Sequence, residues 1–332
     1  MNDSMELKEN ILTVSSSPHI HGEESVSQIM WNVSLSLAPA ALFAVYYFGL
    51  PALRTMLCGI ISAVIFEAVV QRLRGRKISI SDGSAFLSGL LMSMCLPPNV
   101  PVYLPIVGSF FAIVVAKHSM GGLGHNIFNP AHIGRAALMV SWPVAMTTWS
   151  QLKTSVDAVT SATPLNILKQ QGYGKLIETF GGAPELYKAL FIGTRNGSLG
   201  ETSTILLILG GIYLIYKCYI KWQVPVLMLG TTGLLTWIFG PEGAFTGDPL
   251  FHMMSGGLIL GAFFMTTDMV TIPITKKGQM IFAVGAGAIT ALIRLKGGYP
   301  EGVCYSILLM NSTTPLIDKL LPPVKFGSGR KI

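Results

Sequence analysis

The sequence has few charged residues and no clustered cysteines, and both absences restrict what the protein can be. Only 12% of the 332 residues are charged, 51% are hydrophobic, and the mean hydropathy is +0.56. A chain this apolar lies outside the composition of soluble globular domains. Because the apolar runs do not alternate with polar residues, we expect them to be helical. The composition therefore predicts an all-α polytopic membrane protein.

The cysteines stand singly, so no metal site is expected from this chain alone. Cys58, Cys95, Cys218 and Cys304 lie within or at the ends of apolar segments and form no Cys-x-x-Cys pair. Iron–sulfur and structural zinc sites need clustered ligands. The sequence also lacks the Gly-x-Gly-x-x-Gly loop of dinucleotide-binding folds. We therefore assign no catalytic and no metal-binding residue to this chain.

Ten apolar segments predict about ten transmembrane helices. They cover residues 28–48, 52–71, 83–96, 102–118, 131–143, 203–220, 224–240, 250–266, 279–294 and 302–320. A helix of roughly 20 residues crosses a bilayer, so the third and fifth segments are short. Short segments interrupted by Gly or Pro are typical of discontinuous helices that face a site inside a bundle. Some of the ten helices are therefore expected to be short or discontinuous.

The two halves of the chain resemble each other. Asp82-Gly83-Ser84 is followed by Ser88-Gly89-Leu90-Leu91, and Asp248-Pro249 is followed by Ser255-Gly256-Gly257-Leu258. An odd number of spans per half would make the two five-helix repeats inverted. The predicted division is an N-terminal arm (1–27), the first repeat (28–143), a polar loop (144–202), the second repeat (203–320) and a C-terminal tail (321–332).

Basic residues predict the orientation of the helices. With the N-terminus in the cytoplasm, the short outside loops hold only Arg54, Arg294 and Lys296. The inside loops hold many more: Arg72, Arg74, Arg76, Lys77, Lys217, Lys221, Lys276, Lys277, Lys325, Arg330 and Lys331. This asymmetry favours cytoplasmic termini and an extracytoplasmic loop 144–202. Topology thus explains the net charge of +7, and nucleic acid need not be invoked.

Several motifs resemble one family along nearly the whole chain. They are Ser17-Pro18-His19, Met30-Trp31-Asn32-Val33, Pro39-Ala40, the stretch from Gly121 to Ala131 (GGLGHNIFNPA), the stretch from Phe264 to Pro273 (FMTTDMVTIP), and Asp157-Ala158-Val159-Thr160-Ser161-Ala162-Thr163. On these motifs the chain resembles the NqrB/RnfD family of membrane subunits of ion-translocating oxidoreductases. Met269 stands where the family usually has a proline.

The resemblance implies a covalent flavin in the polar loop. The pattern Asp-x-x-[Ser/Thr]-[Gly/Ser]-Ala-Thr is similar to the site at which a flavin transferase esterifies FMN phosphate to the last threonine, here Thr163. Asp157, Thr160, Ser161 and Ala162 would complete the recognition motif. Pro164 biases Thr163 toward an extended backbone, so we expect its side chain to point outward. The alternative is a solvated Ser/Thr-rich turn. Whether riboflavin binds as a second, non-covalent flavin is left open.

The resemblance also implies a function and partners. It implies a component of an Rnf-type complex in a prokaryotic cytoplasmic membrane, coupling electron transfer between ferredoxin and NAD to Na+ or H+ translocation. Nucleotide and ferredoxin chemistry would then belong to the other Rnf components, RnfA, RnfB, RnfC, RnfE and RnfG. The remaining expected contacts are the flavin transferase and membrane lipid. A secondary transporter of inverted-repeat fold is the main alternative. A channel is another, because Asn129-Pro130-Ala131 matches the aquaporin-type tripeptide.

Polar residues inside apolar segments are candidates for a flavin or ion pocket, because intramembrane polar groups are costly unless they are used or paired. For Glu67 the alternative to a pocket role is that its side chain reaches a partner at the membrane interface, since it lies about one turn from Gln71 and Arg72. Helix caps and a satisfied helix break would explain the others equally well. The candidates are Glu67, Asp82, Asn126, Asn129, His132, Arg135 and Asp268.

Overall fold

The computed structural model describes residues 24–149, 162–240 and 243–323, and these are almost entirely helical. The α-helices in these ranges are α1 Val26–Phe48, α2 Leu50–Leu73, α3 Ser84–Met94, α4 Tyr103–Phe110, α5 Pro130–Ser141, α6 Pro143–Thr147, α7 Pro164–Phe180, α8 Ala183–Ile192, α9 Thr204–Tyr216, α10 Gln223–Ile238, α11 Pro249–Met254, α12 Leu258–Leu260, α13 Lys276–Lys296 and α14 Val303–Leu320. π-Helical turns at Phe111–His118 and Gly261–Met265 extend α4 and α12.

Each of the ten apolar segments is largely helical, which confirms an all-helical chain; the ten spans and their arrangement as inverted repeats stay predictions. Short 3₁₀ turns occur at Ile80–Asp82 and Leu199–Glu201. The only strands among the described residues are β1 Phe239–Gly240 and β2 Gly243–Ala244, which pair antiparallel. Three helices, α1, α2 and α13, are long and apolar enough to cross a membrane. The other apolar helices are shorter.

Glycine and proline set the helix boundaries. Gly49 has φ +74°, a left-handed conformation that ends α1, and Pro51 lies in the first turn of α2, where no N–H is needed. Gly256, with φ +65°, interrupts the segment 250–266 between α11 and α12. This segment is therefore discontinuous, which the sequence predicted for some of the helices but not for this one in particular.

The connections between the helices lie at two ends of the bundle, and hydrogen bonds join the connections at each end. At the end that we call the basic end, Arg74 donates to the carbonyl of His118 (2.6 Å) and Arg76 to that of Gly121 (2.8 Å). At the opposite end, which we call the α7 end, Lys169 of α7 donates to the carbonyl of Tyr299 (2.9 Å). Successive long helices run between these two ends.

Helix packing follows the same order in both halves. In the first half α2 packs on α3 and α4, and α4 packs on α5. In the second half α10 packs on α11 and α13, and α13 packs on α14. The contacts α1–α9 and α5–α14 join the halves. Large apolar side chains such as Leu42 and Tyr46 are more than two-thirds exposed on the outer face, at 70% and 78%, which suits contact with lipid.

The segment predicted as a polar loop is largely helical where it is described. α7 is kinked at Gly172 (φ +84°), and α8 follows it. Leu165 and Leu176 of α7 pack with Leu186 of α8 and with Phe251 of α11. These apolar contacts fix α7 against the end of the bundle.

Candidate functional site

Thr163 is the N-cap residue of α7. Its backbone is extended (φ −65°, ψ 155°), as the following proline favours. Its Oγ1 atom accepts a hydrogen bond from the backbone N–H of Asn166 at 3.2 Å. The expectation that this side chain points outward is wrong for this conformation, since Thr163 is only 3% exposed. The hydroxyl turns inward because a first-turn N–H needs an acceptor.

The rest of the flavin-type motif is only partly described. Asp157, Thr160 and Ser161 lie outside the described residues. Ala162 is partly buried and packs against the cluster of α7 and α8. Its small side chain leaves the start of α7 uncrowded.

A cavity of about 250 Å³, which we call the α7 cavity, opens beside the first turns of α7. Its polar and aromatic lining includes Arg135, Trp149, Asn166, Gln170, Tyr299, Glu301 and Tyr305. The rings of Tyr299 and Tyr305 lie 5.6 Å apart between centroids, tilted by 34°. Because Asn166 bonds to Thr163 and lines the cavity, the cavity begins within one helical turn of the Thr163 hydroxyl.

Two glutamates lie at the α7 end, and Glu301 lines the α7 cavity. Glu301 lies in the connection before α14 and forms an ion pair with Arg135 of α5. Glu201 ends the 3₁₀ turn before α9 and is 4% exposed. Ser198 Oγ donates to Glu201, at 2.7 Å. Both glutamates lie outside the helices that we assign to the membrane.

Their environments drive the pKa values of the two carboxyl groups apart. Burial, together with the neighbouring Glu301 carboxylate, raises the pKa of Glu201 to about 8. Burial also opposes ionisation of Glu301, but the neighbouring Arg135 guanidinium favours it, and the pKa of Glu301 is lowered. The two shifts have opposite directions because Glu301 has an arginine as ion-pair partner and Glu201 has none among the described residues.

Two more buried arginines surround this pair without forming an ion pair. Arg195 donates through Nη2 to the carbonyls of Glu201 (3.0 Å) and Met254 (2.7 Å). Arg294 donates to the carbonyls of His252 and of Ser255, the latter at 2.9 Å. Among the described residues neither arginine has a carboxylate oxygen within 4.0 Å. The α7 end therefore buries more positive than negative charge.

At the basic end Glu67 has a buried cationic partner that the sequence did not indicate. Lys117 Nζ lies 2.9 Å from Glu67 Oε2, and the two side chains are 1% and 2% exposed. Gln71 donates to the other carboxylate oxygen at 2.8 Å, and His118 Nε2 lies 3.0 Å from Oε2. Of the two neighbours expected near Glu67, Gln71 is a partner, whereas Arg72 is exposed.

Asp82 and Asp268 form local hydrogen bonds. Asp82 Oδ1 accepts from the N–H of Ser84 at 2.8 Å, at the start of α3. Asp268 accepts from Val270 N (3.4 Å) and Thr271 Oγ1 (3.2 Å) within its own loop. These contacts agree with the capping and turn alternatives.

The remaining candidates do not form one pocket. Asn126, Asn129 and Asp268 line a smaller cavity of about 90 Å³ at the basic end, together with Lys117. Asn129 also caps α5, accepting from Ala131 N at 3.0 Å. Arg135 lies farther along α5, at the α7 cavity. His132, between them, is 1% exposed, and neither of its ring nitrogens has a hydrogen-bond partner.

Four buried or partly buried charged residues were not identified from the sequence, and these are Lys117, Arg195, Glu201 and Glu301. Lys117 ends an apolar segment, where a snorkelling lysine is ordinary. Glu201 and Glu301 lie in glycine-containing connections 100 positions apart, and Arg195 lies in the same connection as Glu201. For Glu201 and Glu301 the sequence position could have served as a signal. A carboxylate directly before an apolar helix is a candidate for burial at the helix end.

The fold and its buried ion pairs define a polytopic helical membrane protein with charged clusters near both ends. The chain belongs to the NQR2, RnfD, RnfE family, whose model matches residues 13–327. It is 70% identical to the D component of the proton-translocating ferredoxin:NAD+ oxidoreductase complex of Clostridium ljungdahlii, over 98% of this chain and 99% of that protein.

Two further relatives cover the chain almost as fully. The D component of the Na+-translocating ferredoxin:NAD+ oxidoreductase complex of Acetobacterium woodii is 46% identical, over 95% of each chain. The D component of the ion-translocating oxidoreductase complex of Stutzerimonas stutzeri is 40% identical, over 91% of this chain and 92% of that protein. The family expected from the sequence motifs is confirmed.

Proposed function

We propose that the chain is the membrane component RnfD of an ion-translocating ferredoxin:NAD+ oxidoreductase complex, and that Thr163 bears FMN through a phosphoester bond. The chain aligns over nearly its whole length with the D components of two such complexes, which supports the first part of the proposal. The flavin assignment depends on one structural observation, in addition to the motif. The Thr163 hydroxyl begins α7 within one turn of a cavity with aromatic and polar walls.

The start of α7 suits the phosphate of such a group. First-turn N–H groups and the helix dipole stabilise an anion at a helix N-terminus. Asn166 already directs its N–H at Thr163 Oγ1, and the first turn of α7 contains no acidic residue to repel a phosphate. Because Thr163 is buried, the flavin transferase would act while the first turn of α7 is undocked.

The α7 cavity suits the ring system. Tyr299 and Tyr305 offer aromatic faces, and Asn166 and Gln170 offer amide groups for a polar ring edge. When bound, FMN supplies electron-transfer chemistry that no side chain supplies. The residues that line the cavity would hold the ring and limit access of water, and Arg135 is one of them. The tether removes the entropic cost of binding at each turnover.

The proposal includes a topology of ten spans in two inverted five-helix repeats. The matching packing of α2 on α3 and α4, and of α10 on α11 and α13, supports it. The charge bias of the loops supports cytoplasmic termini and an extracytoplasmic α7 end. NAD and ferredoxin would bind partner subunits of the complex, since this sequence has no dinucleotide loop and no cysteine cluster.

The test is the covalent adduct itself. Thr163→Ala should abolish flavin fluorescence of the denatured band, whereas Thr163→Ser should retain part of it because the hydroxyl remains. Thr179→Ala, which removes an exposed threonine from the same helix, is the matched control and should label normally. Loss of the N-cap costs about 1 kcal/mol, so the Thr163→Ala protein should still accumulate.

Mass spectrometry of the peptide that contains Thr163 identifies the modified residue. An FMN adduct that survives in Thr163→Ala would refute the assignment. Absence of any adduct from the fully matured native complex would favour the alternative, a transporter of inverted-repeat fold without a redox role.

A further inference from the structure

We propose that a second cavity at the α7 end binds a phosphate group, supplied either by the headgroup of a phospholipid or by inorganic phosphate. This cavity, which we call the Arg294 cavity, has a volume of about 370 Å³. Its walls come from α7, α11, α13 and the connection after α13, and its polar lining residues are Lys169, Tyr173, His252 and Arg294. The site does not rest on the flavin function proposed above.

Arg294 is a buried cation that lacks a counter-ion among the described residues. It is 5% exposed and takes part in none of the ion pairs of the described chain. Two of its nitrogens donate to the carbonyls of His252 and Ser255, the latter at 2.9 Å, and Nε has no hydrogen-bond partner there. A buried charge is costly unless it is paired. We therefore expect a negatively charged ligand beside it.

The carboxylates of the neighbouring elements are already engaged. Asp248, before α11, accepts hydrogen bonds from the hydroxyls of Tyr173 (2.9 Å) and Tyr187, and its other oxygen caps α11. Glu301 forms the ion pair with Arg135. Neither carboxylate lines the Arg294 cavity. The described chain thus offers donors in this cavity and no anion to meet them.

The donors of the cavity differ in kind and suit an oxyanion with several oxygens. His252 is 6% exposed, and its Nδ1 atom has no hydrogen-bond partner among the described residues. Lys169 is exposed and donates to the carbonyls of Gly297 and Tyr299, so one of its three N–H groups remains available. A guanidinium, an ammonium and an imidazole together match a phosphate better than a carboxylate, which has only two oxygens.

The apolar part of the lining favours a phospholipid as the source. Leu165 and Leu168 of α7 and Leu295 of α13 line the cavity beside the cations. Arg294 lies in the last turn of α13, which is long and apolar enough to cross a membrane, so the cavity lies where a span reaches the headgroup region. Basic pockets between transmembrane helices bind phosphate headgroups. Inorganic phosphate would use the cations but gain nothing from the leucines.

The Arg294 cavity and the α7 cavity lie on different faces of α7. Leu165, Leu168 and Lys169 follow the three- and four-residue spacing of one helix face. Asn166 and Gln170 lie on another face and line the α7 cavity. A phosphate in the Arg294 cavity therefore leaves the α7 cavity free for a ring system.

Equilibrium dialysis of the intact, delipidated complex against radiolabelled inorganic phosphate tests the site. Arg294→Gln removes the buried cation, and Lys169→Gln removes an exposed one that is not needed for folding. Each variant should bind one phosphate per complex at least about tenfold more weakly than wild type does, because a charged hydrogen bond is lost. Lys175→Gln, at an exposed lysine of the same helix, is the matched control and should bind like wild type.

A competition arm identifies the source of the phosphate group. Displacement of phosphate by short-chain phosphatidylglycerol at a lower concentration than by glycerol phosphate would identify a lipid headgroup, and equal displacement would identify free phosphate. Either result supports the site.

Two results would overturn the proposal. The first is an unchanged phosphate affinity in Lys169→Gln and in folded Arg294→Gln; if Arg294→Gln does not accumulate, Lys169→Gln alone decides. The second is phosphate binding that appears only in Thr163→Ala, because the cavity would then belong to the FMN phosphate. Gel fluorescence reports the flavin independently, so either assignment can fail without the other.

Discussion

The buried pair of Lys117 and Glu67 provides the sharpest test of the energetics of this fold. Lys117 Nζ lies 2.9 Å from Glu67 Oε2 and donates to Ser84 Oγ at 2.7 Å. Replacing Glu67 by glutamine leaves a buried ammonium without a counter-ion. Removing one partner of a buried pair costs about 3–5 kcal/mol. Lys117→Met should cost a similar amount, because it removes the lysine counter-ion and leaves the buried carboxylate with only Gln71 and His118 beside it.

The double variant Glu67→Gln/Lys117→Met should recover much of this loss. It leaves neither an ammonium nor a carboxylate, and methionine fills most of the lysine volume. Gln71, which donates to Glu67 Oε1 at 2.8 Å, can still bond to a glutamine. We expect the double variant to be more stable than either single variant, with a coupling energy of about 2–3 kcal/mol.

Thermal unfolding of the complex in lipid nanodiscs, followed by size-exclusion chromatography, measures the effect. At about 2 °C per kcal/mol for a chain of this size, each single variant should lose roughly 6–10 °C. Glu185→Gln, at an exposed pair, is the control and should shift the midpoint by less than about 2 °C. Strictly additive losses in the double variant would refute the reasoning, since they would mean that the two side chains do not interact.

Other regions give further predictions. As the pH rises from about 4.3 to about 8, the wild-type protein should lose more folding stability than the Glu201→Gln variant. The pKa of Glu201 is about 8 in the folded chain and about 4.3 in an unfolded one, so the folded state binds more protons and stability falls as pH rises through the folded value. A matching pH profile in the variant would contradict this. In intact cells an impermeant maleimide should label Lys175→Cys but not the exposed native Cys218; the reverse pattern would invert the topology. Gly134→Ala should lower stability by about 1–3 kcal/mol, because its Cβ would lie 2.5 Å from a backbone oxygen of α4. Gly230→Ala should not lower stability, because the added Cβ would lie in open space.

Local signals predicted the helix boundaries well. Asn129 and Pro130 begin α5 as a cap and a first-turn proline, and the glycines at 256 and 257 interrupt the eighth apolar segment. Such boundaries depend on a few neighbouring residues, so the sequence shows them directly. The ten helical segments could be predicted for the same reason.

Long-range pairing of charges could not be predicted. Glu67 meets Lys117 across 50 positions, and Arg135 meets Glu301 across 166. No periodicity links such residues, because their contact depends on how whole helices pack. The inward rotamer of Thr163 was missed for a different reason. The pattern indicated Thr163 as the candidate for modification, but the cap that buries it depends on α7 docking against α8 and α11.

The excess of arginine at the α7 end has a consequence for redox potential. Arg135, Arg195 and Arg294 are all at least 94% buried, and one carboxylate balances them while Glu201 is protonated. An electron acceptor in the α7 cavity therefore experiences a positive field, which stabilises its reduced form and raises its midpoint potential. Ionisation of Glu201 removes one unit of that positive charge, so the potential of the acceptor should fall as the pH rises. The charges of these side chains would thus link the electron affinity of such an acceptor to the pH at the α7 end.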